Sequence, residues 1–178
     1  MCIRDRNGGH DRIDVRNLEL RGNSWISTGE GNDFFRFHKS TSHHDFNFLS
    51  AEGEDTLRFF QARALSDLDA RTGSGEDEIM FWNSRVWRDA VLMTGSDDDT
   101  VNASHSRFTG DTQQIFTQDG DDRVTFVRNK INDSGISIDT GADHDRVIAE
   151  MAADSEVLGM IEIPVSYTHL TLPTICSV

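Results

Sequence analysis

Residues 72–81 read TGSGEDEIMF, and this stretch decides the fold because it returns at a fixed period. Residues 94–103 read TGSDDDTVNA, which repeats the same pattern 22 residues later. Self-similarity at a period of this size is typical of repeat architectures. The aspartate of the pattern occurs seven times with spacings of 22 or 23 residues, at Asp11, Asp33, Asp55, Asp77, Asp99, Asp122 and Asp145.

Apolar residues follow each of these aspartates with a period of two, which predicts a strand with one buried face. The residues two positions after the aspartate are Ile13, Phe35, Leu57, Ile79, Val101, Val124 and Val147. Those four positions after it are Val15, Phe37, Phe59, Phe81, Ala103, Phe126 and Ala149. A second strand is predicted before the corner, through Ile26, Phe48, Ala70, Leu92, Ile115 and Ile138. A weaker third strand passes through Leu20, Ala64, Val86, Phe108 and Ile131.

A unit of 22 residues is too short to hold an amphipathic helix, a strand and their loops, and it cannot bury its apolar face alone. Identical units bury that face by stacking on one another. The sequence therefore predicts an all-β, right-handed parallel β-helix, or solenoid, of about seven coils of 22–23 residues. Equivalent residues should lie about 4.8 Å apart in neighbouring coils. A β-propeller is disfavoured because its blades need about 40 residues.

Composition excludes two classes of partner. The 178 residues carry a net charge of −14, which argues against nucleic-acid binding. No apolar run reaches the length of about 20 residues that a membrane helix needs, so no membrane span is expected.

The two ends read as translated sequencing-library adapter: residues 1–6 are MCIRDR, and residues 165–178 are VSYTHLTLPTICSV. Both cysteines, Cys2 and Cys176, fall in these segments, so no disulfide is expected. We therefore expect residues 7–164 to be a β-helical fragment of a longer protein, with ends that make no consistent contacts with the repeats.

Three corners, GEGND at 29–33, GSGED at 73–77 and QDGDD at 118–122, resemble the calcium-binding repeats of RTX proteins and GxGxD-type β-strand repeats of large bacterial secreted or surface proteins. The period differs from the RTX nonapeptide, and Asp97 and Asp143 stand where the family has glycine. The resemblance implies Ca²⁺ along one edge of the solenoid. The implied metal-site residues are the seven aspartates named above together with Gly31, Gly53, Gly75 and Gly120.

Electrostatics supports calcium independently of the resemblance. Carboxylates stacked about 4.8 Å apart repel by nearly 1 kcal/mol per pair even in water, and a divalent cation would relieve this repulsion. The alternative is that each aspartate caps its own turn by accepting a backbone N–H, while glycine supplies a positive φ.

Other candidate chemistry is weaker. His43, His44 and Asp45 are expected in a solvated loop, and His10 and His144 as exposed repeat variants. Packing between neighbouring coils is favoured over sugar stacking for the aromatic set Phe60, Trp82 and Trp87. Ser104, His105 and Asp111 share a coil, but their positions in the sequence do not imply the geometry of a catalytic triad.

We therefore expect a non-catalytic, calcium-stabilised repeat segment of a secreted or cell-surface bacterial protein, acting as a spacer, stalk or adhesin-like module. Carbohydrate or another surface protein is the expected partner besides calcium. The alternatives are a fragment of a pectate-lyase-like enzyme and a calcium-independent structural or carbohydrate-binding solenoid.

Overall fold

The computed structural model describes residues 2–4, 8–131, 135–151, 161–162 and 168–171, and the side chains of residues 2, 8–131 and 135–150. These residues form three parallel sheets that run the length of a β-solenoid, as the sequence predicts. Each strand pairs with the equivalent strand of the next coil. The structure has about six turns against the seven predicted, because seven corners enclose six complete coils.

Sheet 1 begins directly after the repeated aspartate. Its strands are Arg12–Arg16, Phe34–His38, Thr56–Phe60, Glu78–Trp82, Thr100–Ser104, Arg123–Ile131, Asp145–Met151 and Thr168–Thr171. Sheet 2 consists of two-residue strands: Glu19–Leu20, Thr41–Ser42, Arg63–Ala64, Arg85–Val86, Arg107–Phe108 and the end of Arg123–Ile131. Sheet 3 enters the aspartate corner through Cys2–Arg4, Ser24–Ser27, Phe46–Leu49, Leu68–Ser74, Ala90–Ser96, Gln113–Phe116, Ile136–Asp139 and Ile161–Glu162.

The predicted apolar columns are confirmed. Ile79, for example, lies in register with Leu57 in the coil before and with Val101 in the coil after, and its side chain is fully buried. Ile13, in the first described coil, is only partly buried. Aromatic rings fill much of the interior, and Phe59 stacks on Phe81 with their centroids 4.7 Å apart. Burying one such side chain contributes about 1.5–3 kcal/mol, so the repeated interior column holds neighbouring coils together.

The expectation that the terminal segments make no repeat contacts is wrong for seven of their residues. Cys2–Arg4 pairs in parallel with Trp25, Ile26 and Ser27, and Thr168–Thr171 pairs with residues 145–148. The physical reason is that the open edge of a parallel sheet offers unpaired backbone groups to any extended segment. The adapter origin of these segments stays a prediction, and the other residues of 165–178 lie outside the described part of the chain. Across the described residues, no helix is long and apolar enough to cross a membrane.

Candidate functional site

The repeated aspartates form one line along the corner between sheets 3 and 1, as predicted, but their carboxyl groups lie inside the solenoid. Asp77 and Asp99 are only 2% and 1% exposed. Each stands two positions before a buried residue of sheet 1, so strand alternation turns its side chain toward the interior. The same burial holds for Asp33, Asp55, Asp122 and Asp145, whereas Asp11 is half-buried.

A hydrogen-bond ladder connects these carboxyls from coil to coil. The Oδ1 atom of Asp77 accepts the backbone N–H of Asp55 at 2.8 Å, and Oδ1 of Asp99 accepts that of Asp77 at 2.8 Å. The same bond joins each neighbouring pair from Asp11 to Asp145, at 2.7–3.1 Å. The predicted alternative, a backbone hydrogen bond accepted by the aspartate, therefore occurs in changed form: the donor belongs to the preceding coil and not to the aspartate's own turn.

A column of Ser and Thr hydroxyls accompanies the carboxyls on the interior side of the corner. Thr94 lies five residues before Asp99, and its nearby hydroxyl lowers the pKa of Asp99 against the effect of burial. The hydroxyls of Ser50, Thr72, Thr117 and Thr140 likewise lower the pKa of Asp55, Asp77, Asp122 and Asp145. The hydroxyls of Ser50 and Thr72 donate to the backbone carbonyls of Thr72 and Thr94 in the next coil, at 2.9 and 3.2 Å. Oδ2 of each fully buried aspartate in the column has no hydrogen bond of regular geometry. One oxygen of each such carboxyl is thus well satisfied and the other poorly.

Burial raises the pKa of five of these carboxyls. It brings the pKa of Asp55 to about 6 and the pKa values of Asp77 and Asp99 to about 7. Hydrogen bonds lower each pKa and the neighbouring aspartates raise it, but both effects are smaller than burial. Burial also raises the pKa of Asp122 and of Asp145. Asp55, Asp77 and Asp99 therefore titrate near neutral pH, where ordinary carboxyls are fully ionised.

The predicted metal-site glycines occupy the same corner with left-handed backbone. Gly75, for example, has a φ of 119°, and an added Cβ would overlap the carbonyl group of Gly53 in the coil before. The two departures from glycine, Asp97 and Asp143, keep this conformation with φ of 84° and 81°. Gly31, Gly53 and Gly120 also have positive φ, so the glycine column serves the close stacking of backbone at this corner.

In four consecutive coils an exposed acid stands one position before the buried aspartate. Glu54, Glu76, Asp98 and Asp121 are exposed, one per coil. The first three line a shallow groove of about 450 Å³ together with Asn32, Gly53, Gly75 and Asp97. Within the described part of the chain, no three His, Cys, Asp or Glu side chains converge tightly enough to hold a metal ion.

Calcium takes six to eight oxygen ligands. The buried aspartates match that requirement poorly, because backbone N–H groups already point at Oδ1 and the carboxyls form a line rather than a cluster. The exposed acids also form a line, and Oδ1 of Asp98 and Oδ1 of Asp121 each accept a backbone N–H, but their carboxyl groups are open to solvent. The assignment of calcium to the buried aspartates stays a prediction.

A second side-chain ladder lies at the corner between sheets 1 and 2, where no functional residue was predicted. Ser84 Oγ accepts the backbone N–H of Ala62 at 3.1 Å, and Ser106 Oγ accepts that of Ser84 at 3.1 Å. Ser40 and Asn129 play the same part in their coils. In each of six coils the residue before this corner position has a left-handed φ of 48–55° without being glycine: Asn17, Lys39, Gln61, Asn83, His105 and Arg128. At both corners, polar side chains therefore hydrogen bond one coil to the next. In the sequence, each ladder is visible as a column of polar residues at positions that strand alternation turns toward the interior.

The remaining candidates are dispersed. Phe60 stacks on Trp82 of the next coil with centroids 4.4 Å apart, as predicted, whereas Trp87 lies under the guanidinium of Arg85 in its own coil. His43 lies 3.9 Å from a carboxylate oxygen of Glu19. Four candidate residues are exposed: His10, His44, His105 and His144. Asp45 accepts the hydroxyl of Ser66 at 2.7 Å, and Asp111 is exposed.

Comparison with protein-family models, with curated proteins and with solved structures gives no match to this chain.

Proposed function

We propose that this chain is a non-catalytic structural segment, a spacer or stalk, of a secreted or cell-surface bacterial protein. One observation supports this most directly: the polar columns that could do chemistry are interior and bonded from coil to coil. Asp77 and Ser84, in the same coil, each accept a backbone N–H from the coil before. Side chains committed to holding a rod together are not available to a substrate.

An assay for depolymerisation of acidic polysaccharides tests the non-catalytic part of the proposal. We expect no activity on polyuronates with the purified chain, with or without calcium. Turnover that disappears when a surface acid is replaced would instead favour the pectate-lyase-like alternative.

A whole-coil deletion tests the spacer part. Removal of residues 55–76 takes out one complete unit and joins Glu54 to Asp77, which preserves the corner pattern. We expect a folded rod that is shorter by about 4.8 Å, measured by small-angle scattering. Deletion of half a unit, residues 55–65, is the matched control and should unfold the chain, since it breaks the register of all three sheets.

We further propose that calcium stabilises the solenoid at the exposed acids Glu54, Glu76, Asp98 and Asp121 rather than at the buried column. These carboxylates recur one per coil and are open to solvent, so a cation that keeps part of its water shell can reach them. Neutralising this edge would remove a repulsion that recurs at every coil.

Calcium titration of matched variants tests the assignment. A cation bound only by the folded state raises the melting temperature by mass action. We expect millimolar Ca²⁺ to raise the melting temperature of the wild-type chain, and Glu54→Gln/Glu76→Gln to lose most of that response. The buried pair Asp55→Asn/Asp77→Asn should retain it. Loss of the response in the buried pair alone would return calcium to the aspartate column, and no binding up to about 10 mM, above the range of weak extracellular sites, would remove calcium from the proposal.

A further inference from the structure

A column of basic residues lies on the outer face of sheet 2. Arg63, Arg85, Arg107 and Lys130 are in register in four consecutive coils. The last three of them line, with His105 and Arg128, a shallow groove of about 590 Å³ that has no acidic residue in its lining, and Arg63 continues the column beyond the groove. This basic column contrasts with the net charge of −14 of the whole chain.

The basic column has no acidic partners among the described side chains. The arginines that form ion pairs are others: Arg16, Arg21, Arg36, Arg58, Arg71 and Arg88. Within the column, only Arg85 has an aromatic contact, with its guanidinium 5.6 Å from the ring centre of Trp87. Cations stacked at the strand spacing of about 4.8 Å repel by nearly 1 kcal/mol per pair in water. An array of anions with the same spacing would relieve that repulsion.

The same four coils carry such an array. Glu54, Glu76, Asp98 and Asp121 each stand nine residues before the basic residue of their own coil. These acids lie at the corner between sheets 3 and 1, and sheet 2 is the sheet that does not flank this corner. Each of the four coils is therefore acidic at one edge and basic on the face across from it, with an identical rise from one charge to the next.

We propose that a second copy of this chain docks laterally, with the acidic column of one copy against the basic column of the other. The two columns have equal numbers of charges, opposite sign and the same spacing, and both lie on one molecule. Because the two columns lie on different edges, the contact is heterologous. Because the columns lie across from each other, each copy can bind a further copy on its other side, and the assembly stays open. The result is a growing row of parallel solenoids rather than a dimer.

The net negative charge opposes this association and makes it weak. At about 0.1 M salt the Debye length is about 10 Å, so the repulsion between whole molecules is screened while charges in contact still attract. At about 1 M salt the Debye length of about 3 Å weakens the contacts too. We expect a Kd on the order of 0.1–1 mM at the lower ionic strength.

A charge-swap experiment tests the proposal. The full chain is studied by sedimentation equilibrium in EDTA, which removes the calcium of the proposed function from the test. Two variants are used: Arg63→Glu/Arg107→Glu reverses two of the four charges of the basic column, and Glu54→Lys/Glu76→Lys reverses two of the four charges of the acidic column. All four positions are exposed, and circular dichroism with a melting curve establishes that each variant is folded. Both variants keep a negative net charge, so general attraction between them does not occur.

We expect the weight-average mass of the wild-type chain to rise past that of a dimer with concentration at about 0.1 M salt and to fall at about 1 M. Each variant alone should remain monomeric, and an equimolar mixture should associate again. A wild-type chain that stays monomeric at about 1 mM overturns the proposal, as does a mixture that fails to associate. A monomeric chain that instead binds a polyuronate through Arg63 and Arg107 also overturns it, and would assign the groove to an acidic polysaccharide.

Discussion

The carboxyl of Asp77 holds the backbone N–H of Asp55, 22 residues earlier, at 2.8 Å, while its other oxygen is buried without a hydrogen bond of regular geometry. The hydrogen bond between these two residues stabilises the fold, whereas burial of the ionised Asp77 carboxyl destabilises it. The bond needs an acceptor oxygen but not a negative charge. Substitutions of Asp77 can therefore separate the effect of its acceptor oxygen from the effect of its negative charge.

Stability should increase as the pH falls from about 8 to about 5. The pKa values of Asp55, at about 6, and of Asp77 and Asp99, at about 7, lie above the ordinary value of 3.8. For a carboxyl with a raised pKa, the stabilising contribution is complete below the ordinary value and is lost as the pH rises through the folded-state value. A carboxyl whose pKa is higher by one in the folded chain than in the unfolded chain contributes roughly 1.4 kcal/mol to this change. Chemical denaturation across this pH range measures the effect, and a stability maximum at pH 7–8 would contradict it.

Asp77→Asn should stabilise the chain above pH 7 and flatten its pH dependence. The amide oxygen can still accept the N–H of Asp55, whereas no ionised group is then buried. Asp69→Asn is the matched control, because Asp69 is partly exposed and pairs with Arg71 on the surface. Its pH dependence between 4 and 7 should follow the wild-type curve. If both variants have the same slope, burial of Asp77 is not the source of the pH dependence.

Asp77→Ala should destabilise the chain by about 1–3 kcal/mol at pH 5, because the buried N–H of Asp55 loses its acceptor. At pH 8 the loss should be smaller, since the ionised carboxyl is removed together with the bond. The free energy of unfolding at the two pH values is the measurement. An equal loss at both values would show that only the hydrogen bond matters.

Gly95→Ala should cost about 3 kcal/mol or more. Gly95 has a φ of 114°, and an added Cβ would overlap the carbonyl group of Gly73 in the coil before. Gly22→Ala is the control, because nothing lies within 4 Å of a Cβ added there. Thermal melts of the two variants should differ clearly, and equal melting temperatures would mean that the corner backbone can move apart.

Asp97→Gly should raise the free energy of unfolding by about 1 kcal/mol, because Asp97 has a left-handed φ of 84° that glycine adopts without strain. The exposed hydrogen bond that it accepts from Gly75, at 3.2 Å, is a small loss. Asp98→Gly, one residue later, lacks this relief and should be neutral or destabilising. The order of stability of the two glycine variants decides the point.

Periodicity alone predicts the strands, their parallel register and the interior columns, because a solenoid repeats one local solution. The direction of the aspartates was not predicted, although Asp77 shares the parity of Ile79 and Phe81. The glycine-rich corner predicts a turn, whereas in the structure the strand alternation extends through it. The same parity places Thr72 with Ala70 and Ser84 with Val86, so both ladders could have been found by extending the alternation beyond the apolar residues.

The pKa values could not be predicted from the pattern. They depend on how completely the neighbouring coils cover Asp77 and Asp99, and on the distances to the Thr hydroxyls. The sequence shows Arg63, Arg85 and Arg107 at the repeat spacing. Only the strand register of the structure shows that they lie on one face.

All the bonds of the aspartate ladder point the same way: each N–H is donated to the coil that follows it, never to the one before. The rod therefore has a head and a tail of different chemistry. A coil added at the head donates an N–H to the carboxyl of the coil it meets. A coil added at the tail accepts an N–H from the coil it meets. Two such ends can meet only head to tail, so lengthening the array by joining rods would preserve chain direction.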